Sequence, residues 1–151
     1  FTMQLTQFTD LSLRVLMYLT YRDRKDPVKI VEIAEQFNVP RNHLIKVVNK
    51  LGKLGWVDTT RGRNGGLRLG IAPTKLKIGE VLKQVEGCTE LIDCSKPACS
   101  LRGGCKLKGA LDHGLSIFYD VMNNYTLQDI VSSPTGEKIS QMHKIHLKNT
   151  G

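Results

Sequence analysis

Three things are missing from this 151-residue sequence, and each absence closes off a class of function. Long apolar runs are missing: the most apolar stretch, Leu11 to Leu19, is broken by Ser12 and Arg14 and falls short of the roughly 20 residues that span a bilayer. Met3, preceded by Phe1 and Thr2, reads as the native start, and no signal peptide follows it. The expectation is a cytoplasmic protein with no membrane partner. Catalytic groupings are missing too: no acid/base or nucleophile constellation stands out, and no Gly-Lys-Ser/Thr marks a nucleotide-binding loop, so an enzyme is not expected. Compact cysteine knuckles are the third gap. Counting from Cys88, the four cysteines are separated by five, four and five residues, without the tight pairing usual in a structural zinc site.

What is present is positive charge in one place. Residues 22–77 hold 13 Lys/Arg against 5 Asp/Glu, the whole of the +8 net charge, since the remaining 9 of each sign cancel. Such a local excess is the electrostatic footprint of a phosphate-backbone partner. Within it, Ile30, Ile33, Ala34 and Phe37 recur at helical spacing. Asn38 follows, a residue tolerant of left-handed backbone, and Pro40 suits the first position of a second helix with Leu44, Val47, Val48 and Leu51 inward. Helix, tight turn and helix make a helix-turn-helix. At about 100° per residue the second helix turns Asn42, Lys46, Asn49 and Lys53 outward, with His43 and Arg41 on its flanks. Amide and cationic side chains there can bond base edges and phosphates of double-stranded DNA. Arg61-Gly62-Arg63-Asn64-Gly65-Gly66, between two short alternating runs, reads as a hairpin wing. Its Arg61 and Arg63 would reach an adjacent minor groove, and Asn64 at the tip is grouped with them as a DNA-binding candidate.

Either side of this segment the pattern is helical. Residues 9–22 are apolar nearly all round, as in a buried helix, and Ile78, Leu82 and Val85 line a short amphipathic one. Leu107, Leu111, Leu115, Phe118 and Met122 form the stripe of a long helix ending near Asn123-Asn124. Gly109 and Gly114 each weaken it by about 1 kcal/mol relative to Ala, so a partner, its own copy in a dimer, is expected to support it. After Val131 the periodicity fades and a frayed tail is expected. His143 and His146, three apart, read as part of that polar tail more readily than as metal ligands.

Between the helices lies Cys94-Ser-Lys-Pro-Ala-Cys99-Ser-Leu-Arg-Gly-Gly-Cys105. Pro97 and Gly103-Gly104 make it a loop, and a loop can fold three sulfurs around one inorganic centre. An iron–sulfur cluster tolerates such gaps because its ligands bind different irons; zinc and a set of thiol redox switches remain open on spacing alone.

Taken together these segments carry a resemblance. Gln4-Leu5-Thr6 with Phe8-Thr9-Asp10, Arg41-Asn42-His43-Leu44, the Arg61–Gly66 tip with Arg68-Leu69-Gly70, the three spaced cysteines, Lys106-Leu107-Lys108 and Tyr125-Thr126-Leu127-Gln128-Asp129-Ile130-Val131 resemble, in that order, the iron–sulfur winged-helix repressors typified by IscR and NsrR. The match is nearest to the nitric-oxide-sensing NsrR branch and runs from Met3 to about Val131. It implies a mostly α fold with a small β wing, a winged helix-turn-helix domain followed by a long C-terminal dimerisation helix. It also implies a homodimer on operator DNA, one iron–sulfur cluster per subunit (2Fe-2S or 4Fe-4S) on Cys94, Cys99 and Cys105, a fourth ligand from Asp10 of the partner subunit, and nitric oxide as the signal. The IscR branch places a His ligand where this chain has Lys108, and Cys88 departs from the three-cysteine pattern. The expected boundaries are 3–86 for the DNA-binding domain, 87–105 for the cysteine loop, 106–131 for the dimerisation helix and end segment, and 132–151 for a flexible tail. Other regulators fit less well: an iron- or cluster-status sensor, or a thiol-redox one. An iron–sulfur electron carrier would have no use for the basic wing.

Overall fold

The computed structural model describes residues 3–150. Phe1 and Thr2, read above as preceding the native start, and Gly151 lie outside the described residues. Seven α-helices and one two-stranded sheet follow in the order α1 (Gln7–Tyr18), α2 (Ile30–Phe37), α3 (Arg41–Lys53), β1 (Val57–Thr59), β2 (Leu67–Leu69), α4 (Ile78–Glu86), α5 (Lys106–Met122), α6 (Leu127–Ile130) and α7 (Thr135–Thr150). The expected fold class is the one observed, mostly helical with a small antiparallel wing.

Helix α1 begins where Thr6 caps it, its hydroxyl accepting from the Thr9 amide. It is the buried axis of the domain: Leu11, Val15, Leu16 and Tyr18 are closed off from solvent, and α1 packs against both α3 and α4. Asn38 takes the left-handed conformation at φ 51°, ending α2 and turning the chain into α3. Pro40 is the residue before α3 rather than its first, with extended backbone at ψ 135°. Its ring fixes φ where the chain must turn, and helical geometry starts only at Arg41. Leu44, Val47, Val48 and Leu51 of α3 face inward, all nearly or fully buried.

The wing pairs Val57 with Leu69, Asp58 with Arg68 and Thr59 with Leu67. Its root is also bonded to the chain ahead of α2, the Leu67 amide donating to the Val28 carbonyl at 2.8 Å. At Gly65 a Cβ would stand 2.1 Å from the Thr60 carbonyl oxygen, so the tight tip requires glycine there.

Helix α5 leaves this domain along α4 and returns to it: Ile78 donates to the Tyr125 carbonyl and Leu127 to the Leu76 carbonyl, both at 2.8 Å. The α4–α5 contact is close enough that a Cβ on Gly79 would lie 2.6 Å from the Tyr119 carbonyl oxygen. Tyr119 is the one buried residue of α5, while Leu107, Ile117, Phe118 and Val121 are exposed. The tail expected from 132 onward is instead a helix. Thr135–Thr150 form α7, docked through Ile139 and His143, both buried. One apolar residue and one aromatic ring a turn apart anchor it, too short a stripe to register as periodicity.

Candidate nucleic-acid interface and cysteine site

Because Leu44, Val47, Val48 and Leu51 turn one side of α3 into the core, the opposite side is fixed by helical geometry. There Arg41, Asn42, His43, Lys46, Asn49 and Lys53 are all exposed. The same holds for Arg61, Arg63 and Asn64 at the tip of the wing. A helix with cations and amides outward beside an arginine-tipped hairpin is the shape that places one element in a major groove and the other against the neighbouring backbone or minor groove.

Lys29, absent from the residues singled out by sequence, belongs to this arrangement. Its ammonium donates to the Gly65 carbonyl, joining the start of α2 to the wing tip. No local signal marks it, since its partner is 36 positions away.

The cysteine segment 87–105 hangs between α4 and α5. Cys94, Cys99 and Cys105 line one cleft of about 390 Å³, together with Glu90, Asp93, Lys108 and Asp112. Cys99 is exposed, and the other two are partly so. Soft thiols with harder carboxylate oxygens beside them are a donor set suited to an iron–sulfur cluster, whose ligands are shared among several irons. Among the described residues no three His, Cys, Asp or Glu side chains converge as they would on a single metal ion. Lys108 sits on the cleft wall, bonded to Glu90 at 3.1 Å and to Asp112 at 2.5 Å.

Cys88 and Asp10 lie outside the cleft lining. Cys88 is at the loop's stem, where its thiol donates to the Glu90 carbonyl at 3.4 Å and its own carbonyl accepts from the Tyr119 hydroxyl at 2.8 Å. Asp10 stands in the first turn of α1 and pairs with Arg14 at 2.9 Å, its side chain about half exposed. Among the described residues, the lining that gathers the three cysteines does not include Asp10.

The stem is nevertheless joined to α1 by a residue that sequence reasoning missed. The Glu86 carboxylate, at the end of α4, accepts from the Thr6 amide at 3.1 Å, from the Thr6 hydroxyl at 2.9 Å and from the Thr9 hydroxyl. Partial burial works against its ionisation, but the bonds from Thr9 and Thr6 outweigh that and hold its pKa below the usual glutamate value. Glu86 lies two residues before Cys88 and Thr9 one before Asp10, so this bond joins the two segments that carry the candidate ligands.

Comparison with known proteins agrees with this geometry. A family model described as Rrf2, iron-dependent transcriptional regulator, matches residues 5–133. The chain is 47% identical over 132 residues to the HTH-type transcriptional regulator NsrR of Bacillus licheniformis, covering 85% of this chain and 92% of that protein. It is 40% identical over 134 residues to NsrR of Bacillus subtilis strain 168, covering 87% and 92%. Among solved structures it is similar to CymR, the global cysteine regulator of B. subtilis, with a TM-score of 0.69 at 22% identity over 85% of this chain and 96% of that one. It is also similar to T. potens IscR, with a TM-score of 0.68 at 20% identity over 85% and 86%. At such identities the structural matches speak for the fold.

Proposed function

The chain belongs to the Rrf2 family of transcriptional regulators, and from that footing we propose that it is a repressor that binds operator DNA as a homodimer and senses nitric oxide through an iron–sulfur cluster. The observation that carries the reading is the placement of Cys94, Cys99 and Cys105 on one cleft whose stem is bonded to the first helix of a winged helix-turn-helix.

In this reading α3 enters the major groove, where Asn42, Lys46 and Asn49 meet base edges and Arg41, His43 and Lys53 contact the flanking backbone. Arg61, Arg63 and Asn64 extend the footprint along the duplex. The thiolates of Cys94, Cys99 and Cys105 hold the cluster, with Asp10 of the partner subunit as the fourth ligand; a carboxylate oxygen is the hardest donor in that set and the weakest held by soft iron. When bound, the cluster supplies iron that nitric oxide can attack.

The chain's own part is transmission. While the three cysteines are held, the loop is closed, and Glu86 keeps its bonds to Thr6 and Thr9 at the mouth of α1. Freed thiolates leave the stem at Gly87-Cys88 mobile, and α1 loses a fixed neighbour. Because α1 packs directly on α3, the two recognition helices of a dimer then lose their fixed spacing, and the operator is released. Paired α5 helices, covering Leu107, Ile117, Phe118 and Val121, are the natural dimer contact.

The test is a gel-shift titration of anaerobically purified protein on an A·T-rich palindromic duplex, comparing cluster-loaded, cluster-free and nitric-oxide-treated protein. The expected result is tight binding in the first state only, weakening steeply with salt. Equal retention in all three states would remove the cluster from the mechanism. An Asp10→Ala protein that still binds DNA and loses it normally on nitric oxide treatment would remove Asp10 alone.

A further inference from the structure

Helix α7 lies beyond residues 5–133, which the family model covers, yet polar contacts hold it firmly. The buried His143 ring stacks on Tyr18, with ring centroids 3.8 Å apart, and on Tyr21 at 4.4 Å. Its Nε2 is 2.8 Å from the Tyr18 carbonyl oxygen and its Nδ1 is 2.9 Å from Nη1 of Arg24. A guanidinium only donates and a carbonyl only accepts, so one species satisfies both contacts: neutral imidazole with its proton on Nε2.

The groups around it are equally committed. Arg24 donates to Glu32 at 2.5 and 3.0 Å and to the carbonyls of Asp26 and Pro27. Glu32 is 2% exposed and also accepts from the Tyr18 hydroxyl at 2.5 Å. Four side chains from α1, the α1–α2 turn, α2 and α7 thus form one buried network. Glu32 lies on α2, the first helix of the helix-turn-helix.

We propose that His143 is a positioning residue for DNA recognition: it clamps α7 to Tyr18 and Arg24, holds α2 and therefore α3 at one angle, and lets go on protonation. The affinity arm rests on the reading that α3 faces the duplex; the clamp itself does not.

A second ring proton would have to sit on Nδ1, pointing at the Arg24 guanidinium, where it has no acceptor and meets a like charge. Burial and the charge of Arg24 both hold the His143 pKa below the ordinary imidazole value, outweighing the Tyr18 carbonyl and the Glu32 charge, which pull it up. The unfolded or undocked chain therefore takes up the proton first. The clamp is fully present above the ordinary value of about 6.5 and is lost as pH falls below it. The other titratable groups facing the ring are the hydroxyls of Tyr18 and Tyr21 and, on α7 itself, His146. The His146 ring is 3.5 Å from Glu32, so it belongs to the same network.

The experiment follows the full chain, loaded anaerobically with its cluster, from pH 8 to pH 6, with cluster absorbance confirming that the cofactor stays intact. Two quantities are read: amide exchange along α7, and affinity for a duplex that the wild-type protein selects from a random library. A His146→Gln background leaves His143 as the one imidazole in the network. Expected in that background, as pH falls to 6, is falling protection of the α7 amides once the intrinsic pH dependence of exchange is removed, with up to about a fourfold loss of affinity, the most that one proton binding at about pH 6.5 to the undocked chain can supply. His143→Gln, whose amide can still donate to the Tyr18 carbonyl but does not titrate, should keep docking and show a flat profile. His143→Phe keeps the stacking but leaves Arg24 and the Tyr18 carbonyl unpaired, so it should be weakened at every pH, with α3 exchange confirming that the domain is folded.

Unchanged α7 protection across the range, a His143→Gln protein that titrates like wild type, or α7 opening with no change in affinity overturns the proposal. Lys46→Ala separates the two readings. Undiminished binding by that variant would remove α3 from the interface, while pH-dependent opening of α7 would still stand.

Discussion

The two halves of this chain bury their apolar residues differently. In the winged helix-turn-helix part, the helix stripes close against other elements of the same chain: α1 packs on α3 and α4, and Leu11, Val15, Leu44, Leu51, Val81 and Leu82 share one buried core. In the arm made by the cysteine loop and α5, only Tyr119 is buried, and Phe118, Ile117 and Leu107 face outward. The part proposed to read DNA is finished within one chain, and the part proposed to sense is not. This division suits a sensor, because the elements that must respond are those whose packing depends on something added from outside, a cofactor or a second subunit.

The contrast can be broken most severely from the core side. Leu44→Ala should cost about 2–5 kcal/mol in urea unfolding, the usual loss for a buried leucine, whereas Leu107→Ala should change the stability of an isolated chain by less than about 0.5 kcal/mol. Comparable losses at both sites would mean that α5 is packed as well as α3. Next in size is Phe118→Glu, expected to weaken dimerisation by about 2 kcal/mol or more in sedimentation equilibrium while leaving the DNA-facing core intact. A Phe118→Glu protein as dimeric as wild type would move the dimer contact off α5.

Two smaller effects sharpen the difference within the DNA-facing half. Arg61→Ala and Arg63→Ala should each lower the slope of log affinity against log salt by about one, uniformly across sequences if the contact is to phosphate. An unaltered slope would place the wing tip away from the duplex. The smallest change is Glu86→Gln, at about 1 kcal/mol, from exchanging charged for neutral hydrogen bonds to Thr6 and Thr9. Since the folded Glu86 titrates below its ordinary value, its contribution is present above that value and lost as acid titrates the folded carboxylate. The wild-type and Glu86→Gln unfolding curves should therefore converge on acidification, and a constant gap down to pH 3 would contradict the linkage.

How much of this was legible beforehand followed from the range of the interactions. The helix-turn-helix was readable because its signals are local: a helical stripe from Ile30 to Phe37, a left-handed asparagine at 38, and an inward set at Leu44, Val47, Val48 and Leu51. The wing was readable from its glycines, Gly65 above all, where the backbone leaves no room for a side chain. Helix α7 was not readable, because its anchor is a histidine whose partners are 119 and 125 positions away, and a polar segment with one buried ring has no period to detect. Glu32 lies off the apolar stripe of its helix, so nothing local marks it, and it is almost wholly buried. Lys29 and Glu86 were hidden for the same reason, their bonds spanning 36 and up to 80 positions. The proposed ligands sit between these extremes. Spacing on a glycine- and proline-bearing loop was enough to gather three cysteines on one cleft, while the role proposed for Asp10 rests on a second subunit.

The bond from Lys29 to the wing tip, with the Leu67–Val28 bond beneath it, has a consequence for target choice. A hairpin pinned at root and tip to the start of the first helix of the motif cannot swing to follow a displaced groove. On the duplex reading, the offset between the bases touched by α3 and those brushed by the arginines becomes a fixed ruler. Inserting one base pair between the two stretches would rotate the second by roughly 35° and carry it out of reach, so sites should be sorted by helical phase as strictly as by letter.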